Sequence, residues 1–238
     1  MSSLSSVFAL KPFKSMWKIK VKIIRLWKQY SAAAGLTIEM VFIDSEGDKI
    51  HASVKKELVN QFDQFLIEGD SRIFINFAVS HATGSYRTTH HAYKIGFLST
   101  TRVRQCEALP AELNGFEPTN YQDLLEGNLN PDFLIDLIGQ IVEVSHVESV
   151  SVNGKEMQKI SLELRDAEDA RLPLVLWGVF ATDVNNAVQV RSEQSLTVVL
   201  RFGKIKVWKE KSSVSNAYNV STVSINPEML EVETFVNT

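Results

Sequence analysis

The stretch LTIEMVFIDSEGDKIHASVKKELVNQFDQFL, residues 36–66, decides how the chain is read. LTIEMVFID (36–44) predicts a strand, SEGDK a turn, and IHASV (50–54) a second strand. The period then changes. In KKELVNQFDQFL, Leu58, Val59, Phe62, Phe65 and Leu66 recur at three- and four-residue steps, the spacing of an amphipathic helix. Upstream, WKIKVKIIRLW (17–27) sets Ile19, Val21 and Ile23 on one face of an earlier strand. Downstream, SRIFINFAVS (71–80) and YRTTHHAYKIGF (86–97) read as two more strands, with Thr83-Gly84 as the turn signal between them.

The same order recurs. A strand through LIDLIGQIVEVSHVESV (134–150) meets an Asn153-Gly154 hairpin signal, with KISLELRD (159–166) as its partner. RLPLVLW (171–177), the helical GVFATDVNNAV (178–188), SLTVVLRFGKIKVW (195–208) and NAYNVSTVSI (216–225) complete the set. Asp44 and Asp166, each just before the turn, are 122 residues apart, and so are Tyr86 and Trp208. Three strands, a helix and two strands is the order of an OB-fold, a Greek-key barrel that binds oligonucleotides or oligosaccharides on its strand 2–3 face and adjoining loops. The expected class is therefore all-β, with two tandem five-stranded OB-folds, each carrying one helix between strands 3 and 4. The expected boundaries are 8–104 for the first barrel, 105–132 for a linker, 133–230 for the second barrel and 231–238 for a tail. EMLEVETF (228–235) suits a short closing helix.

Composition narrows the function. The 238 residues are 45% hydrophobic, enough for two small cores. Cys106 is the only cysteine, which excludes an internal disulfide or a cysteine zinc site closed by this chain alone, and suits a reducing compartment. The opening MSSLSSVFALKPF lacks the basic region and long apolar stretch of a signal peptide, and no apolar run reaches membrane-spanning length. Net charge is −3, but unevenly spread: residues 1–110 hold 15 basic against 9 acidic residues, and 111–238 hold 10 against 19. Within 11–28 there are seven basic residues and no acid, a candidate phosphate-facing strand.

KIKVWKEK (204–211) holds the most informative anomaly. Alternation puts Ile205 and Val207 on one face and Lys204, Lys206, Trp208 and Glu210 on the other, so a tryptophan stands among lysines on the wet side. On OB barrels, outward aromatics stack on bases and cations meet phosphates. Tyr86, Trp177 and Trp208 are the stacking candidates. Lys18, Lys20, Lys22, Arg87, Lys204, Lys206 and Lys209 are the phosphate candidates. No catalytic constellation, cofactor motif or metal cluster is present: there is no nucleophile elbow or Gly-rich phosphate loop, and His81, His90 and His91 lack a spaced acid or cysteine. Phe42, Phe62, Phe65, Phe74 and Phe77 read as core.

The blocks LKPFKSMWKIKVKI (10–23), FIDSEGDKIHAS (42–53), LRDAEDARLPLVLWG (164–178) and LRFGKIKVWKEKSSVSNAYNVSTVSINPE (200–228) carry a family resemblance. Over about residues 8–230 the chain resembles the central tandem DNA-binding domains of the replication protein A 70 kDa large subunit, plant paralogues most of all. The resemblance implies a non-enzymatic single-stranded DNA binder of the nucleus, acting in DNA replication, repair or recombination. It implies two stacking aromatics per barrel: Trp177 and Trp208 in the second, and Tyr86 alone in the first, where the other position falls on Val54 and a family arginine is replaced by His51. The family's large subunit also joins other replication protein A subunits through a cysteine zinc domain, which a chain with one cysteine does not supply. The competing expectation is a truncated paralogue that serves as a protein-interaction module with weak or no DNA binding.

Overall fold

The computed structural model describes residues 3–14, 16–190 and 195–238. The chain divides into two compact units, Met1–Gly115 and Phe116–Thr238. The expected linker is thus shared out: 105–115 belongs with the first unit, and 116–132 with the second. Phe116, Tyr121 and Leu124 are buried in the second unit.

The first unit opens with a short 3-10 turn, Val7–Ala9, whose Val7, with the following Leu10, fills the end of the core. It continues through β1 (Lys18–Ser31), β2 (Gly35–Ile43), β3 (Lys49–Val54), α1 (Lys56–Phe62), β4 (Ser71–Ile75), β5 (Ala78–His81), β6 (Tyr93–Gly96) and β7 (Arg102–Gln105). The sheet order is β5-β6-β3-β2-β1-β4-β7. β4 and β5 are the two halves of one OB strand, broken where Asn76 turns to a φ of 62°. The first half pairs with β1 and the second with β6, which closes the barrel. β3 and β6 run parallel.

The second unit adds α2 (Tyr121–Leu125), β8 (Ile135–Val144), β9 (Glu148–Val152), β10 (Lys155–Arg165), β11 (Arg171–Trp177), α3 (Val179–Val190), β12 (Thr197–Trp208), β13 (Lys211–Asn216), β14 (Thr222–Ile225) and α4 (Leu230–Val236). β8, β10, β11, β13 and β12 close a five-stranded barrel, again with a parallel pair, β11 with β13. Asn153 and Gly154 both take positive φ and join β9 to β10 as a two-residue hairpin. Both units are the expected OB-folds.

The turn between OB strands 2 and 3 is built identically in both. Asp44 Oδ1 accepts from the N–H groups of Glu46 and Asp48, and Asp166 Oδ1 from those of Glu168 and Ala170. Asp44 Oδ2 also accepts from Val7 N–H at 2.7 Å, which ties the N-terminal plug to the barrel. The left-handed position is Gly47 in one unit and Asp169 in the other. In consequence the registers agree: Val41 pairs with His51 as Glu163 pairs with Pro173, and Ile38 with Val54 as Ile160 with Leu176.

α2 anchors the segment ahead of the second barrel. Asn120 caps it by accepting from Asp123 N–H at 3.2 Å. Tyr121 is buried and donates its hydroxyl to Ile138 O at 2.9 Å. Burial, and secondarily the charge of Asp166, holds that phenol well above its usual range. A side chain at Gly139 would collide with the hydroxyl, so glycine is required there.

Three expectations change. Phe65 is 48% exposed, because α1 tightens into a 3-10 turn at Asp63–Phe65 and rotates it out of phase with the core. Most of YRTTHHAYKIGF is loop, with only Tyr93–Gly96 as strand, so His90 and His91 are not strand neighbours. The fifth strand of the second barrel is Lys211–Asn216, a serine-rich segment without an apolar alternation to reveal it.

Asp44→Ala is expected to lower the free energy of urea unfolding by about 2–4 kcal/mol, since it strips three N–H groups of their acceptor. Asp166→Ala, which strips two, is expected to cost about 1 kcal/mol. Equal losses would contradict the role given to the Val7 tie.

Candidate nucleic-acid interface

An OB barrel offers ligands the outward face of its strands 2 and 3, flanked by the loops after strands 1 and 4. In the second unit that face is carried by β10 and β11. The register places Lys159 opposite Trp177, Ser161 opposite Val175 and Glu163 opposite Pro173. Lys159 Nζ lies 5.7 Å from the Trp177 ring centroid, a cation–π contact that holds the indole on a half-buried shelf. Trp177 N–H donates to Asn216 Oδ1 at 2.8 Å, tying the end of β11 to the end of β13.

Trp208 stands at the other end of β13, as the last rung of β12 opposite Lys211. It is 73% exposed, and Lys209 Nζ lies 5.8 Å from its ring. Lys209 and Glu210 both take positive φ, the conformation of a tight two-residue hairpin usually made by Asn and Gly. From the rung at Asn216 to the rung at Lys211 is five residues, about 17 Å of strand. The two tryptophans therefore stand at opposite ends of β13. Lys206 and Lys209 are exposed and Lys204 is half-buried. Val207, expected in the core, is 57% exposed, because the hairpin runs past the barrel after Ile205.

The first unit builds the same face from different chemistry. The shared register makes Glu39 the counterpart of Ser161, Ser53 that of Val175, and Lys55 that of Trp177. Val54 is fully buried and matches Leu176, so it does not occupy the second aromatic position; Lys55 does. At the centre, His51 Nε2 lies 2.9 Å from Glu39 Oε2, and its Nδ1 lies 2.7 Å from Thr88 Oγ1. Ser53 donates to the same Glu39 oxygen, and Trp27 meets His51 edge-on at 5.6 Å.

Tyr86 and Arg87 sit in the loop after β5, which the Thr88–His51 contact draws onto β3. Tyr86 is 59% exposed with a φ of 59°. It is not the counterpart of Trp208. Val79 pairs with Ile95 as Ile205 pairs with Val214, so Trp208 matches Ala82, and Tyr86 lies on a nine-residue loop, 83–91, that the second unit replaces with Lys209-Glu210.

The structure separates Lys18, Lys20 and Lys22 from this face. Their partners are Ile75, Ile73 and Ser71 on β4, not residues of β2 or β3. Lys22 Nζ donates to Pro110 O and Ala111 O, both at 3.2 Å. Lys55, Lys94 (beside His51 on β6) and Lys159 were missed from the sequence. The Asp166 turn was the available signal for Lys159, since counting back along the ladder from Arg165 opposite Arg171 sets it opposite Trp177. Among the described residues there is no group of three or more His, Cys, Asp and Glu placed to hold a metal ion, and no helix long and apolar enough to cross a membrane.

Comparison with known proteins agrees with this architecture. A family model described as "Domain of unknown function DUF223" matches residues 8–126, half of the chain. A replication protein A 70 kDa DNA-binding subunit of Oryza sativa subsp. japonica is 23% identical over 235 residues, covering 95% of this chain and 24% of that protein. A replication protein A 70 kDa DNA-binding subunit of Arabidopsis thaliana is 21% identical over 240 residues, covering 97% of this chain and 30% of that protein. The chain thus spans about a quarter to a third of these relatives. Among solved structures, a replication protein A heterotrimer bound to single-stranded DNA superposes with a TM-score of 0.59 at 18% identity, covering 98% of this chain and 54% of that one.

Proposed function

The chain belongs to the DUF223 domain family, and from that footing we propose that its two OB barrels bind single-stranded DNA in the manner of a replication protein A large subunit. The work it supports is DNA replication, repair or recombination, in the nucleus, with other replication protein A subunits as candidate partners. The observation that carries the reading is the second barrel's face, where Trp177 on its Lys159 shelf and the exposed Trp208 bracket β13. Aromatic stacking contributes roughly 1–3 kcal/mol per base and tolerates sequence. Lys204, Lys206 and Lys209 lie on the strand and turn that present Trp208, where phosphates between stacked bases would fall.

The first barrel contributes differently. Tyr86 and Arg87 come from a loop drawn over the face, Lys55 stands where the second barrel has Trp177, and Lys94 where it has Ser213. Glu39 opposes phosphates there, and its ties to His51 and Ser53 hold it in the middle of the face. The second barrel grips bases more strongly, although its half of the chain is the more acidic.

Trp208→Ala is expected to weaken binding to an oligothymidylate by about 1–3 kcal/mol in fluorescence anisotropy. An unchanged affinity would remove Trp208 from the site. Glu39→Gln keeps an acceptor for Ser53 but deletes the charge, and is expected to raise affinity by a factor of about 2–5, the scale of one partly screened charge pair. A fall in affinity would mean that the first barrel's face does not meet phosphates.

A further inference from the structure

The outward face of β1, β4 and β7 in the first barrel is cationic, with Arg102 and Arg104 exposed, Lys18 and Lys20 half-buried and Ile75 buried. Its rows run across the ladder: Lys18, Ile75 and Arg102 form one, and Lys20, Ile73 and Arg104 the next. Val103, between the arginines, packs on the core, which confirms that both arginines point outward. Arg102 and Arg104 are exposed, and the turn just ahead of β1 adds Lys11, Lys14 and Phe13, which is 93% exposed. Among the described residues none of these six cations has a carboxylate partner, whereas Arg25, Lys28 and Arg72 on the same barrel pair with Glu68, Asp63 and Asp70. The acids flanking the rows in sequence are Asp70, held by Arg72, and Glu107, which lies past the end of β7.

The second barrel supplies an internal control. Ile23 matches Ile141 through the shared β-bulge, so Lys18 and Lys20 match Asp136 and Ile138. Ile73 and Ile75 match Val199 and Arg201. Arg102 and Arg104 match Thr222 and Ser224 on β14. There the chain covers its own face: Val199 and Ile138 pack with Phe116 and Val232, and Arg201 lies 3.7 Å from Asp136. The duplicated face is covered by Phe116 and Val232 and holds an Arg201–Asp136 pair in one barrel, and among the described residues carries four cations without a carboxylate partner in the other.

We propose that this face of the first barrel is a second nucleic-acid track, taking the phosphates of a single strand that extends past the strand 2–3 faces. Alternate residues on a strand stand about 6.7 Å apart, close to the step between successive phosphates of an extended single strand. Lys18 and Lys20, with Arg102 and Arg104 across the ladder, present that step twice. The inference rests on the single-stranded DNA reading above.

The test replaces both arginines by the residues that the second barrel uses, Arg102→Thr and Arg104→Ser, in the full chain. Affinity is measured for an oligothymidylate of about 16 nucleotides and one of about 45, the latter beyond the roughly 32 that two barrels cover at most. The short strand is expected to bind the variant as it binds the unaltered protein. The long strand is expected to lose several-fold, with its plot of log affinity against log salt shallower by about 1.4, or about 0.7 per phosphate contact. If the variant matches the unaltered protein at both lengths, the track is wrong and the function stands. If the unaltered protein binds neither strand, the function itself fails and the track with it. If poly-glutamate competes as well as the long strand, the face belongs to an acidic protein and the proposal is overturned.

Discussion

Each barrel depends on one aspartate that closes the turn between OB strands 2 and 3. Its carboxylate takes the N–H groups two and four residues on, which fixes where β3 starts against β2 and where β11 starts against β10. Side chains alternate faces along a strand, so a slip of one residue would send the core row outward and the outward row inward. Glu39, His51 and Ser53 in one unit, and Lys159, Ser161 and Trp177 in the other, face outward because that register holds.

The two units differ in chemistry at equivalent positions. Where the second barrel has Ser161 and Trp177, the first has Glu39 and Lys55. Where the second has a two-residue hairpin displaying Trp208, the first has a long loop held to His51 through Thr88. Where the second shields its β8–β12 face with Phe116 and Val232, the first carries half-buried Lys18 and Lys20 and exposed Arg102 and Arg104. One barrel presents flat aromatic surface, and the other presents charge.

Much of this was legible in the sequence, and the rest was hidden for identifiable reasons. The repeat, the helix after the third strand and the Asn153-Gly154 hairpin follow from local patterns with a physical cause, and they carry the fold. Trp208 was legible because alternation exposed it. The pairing of Tyr86 with Trp208 failed because equal spacing along the chain is not equal position on a ladder when a loop grows by several residues. Val54 was mistaken for an aromatic site because the end of β3 is one residue from the true counterpart, and one residue changes the face. Lys94 and the Arg102–Arg104 pair owe their placement to pairing partners far along the chain, which no local pattern records.

The central claim is that bases lie on the second barrel between Trp177 and Trp208. Photo-crosslinking with an iodouracil-substituted single strand, followed by mass spectrometry of the adducts, reads this directly. The account predicts adducts on Trp177 and Trp208, with Tyr86 a weaker site. Adducts absent from both tryptophans, and found only on residues away from β10, β11 and the β12–β13 hairpin, would contradict it.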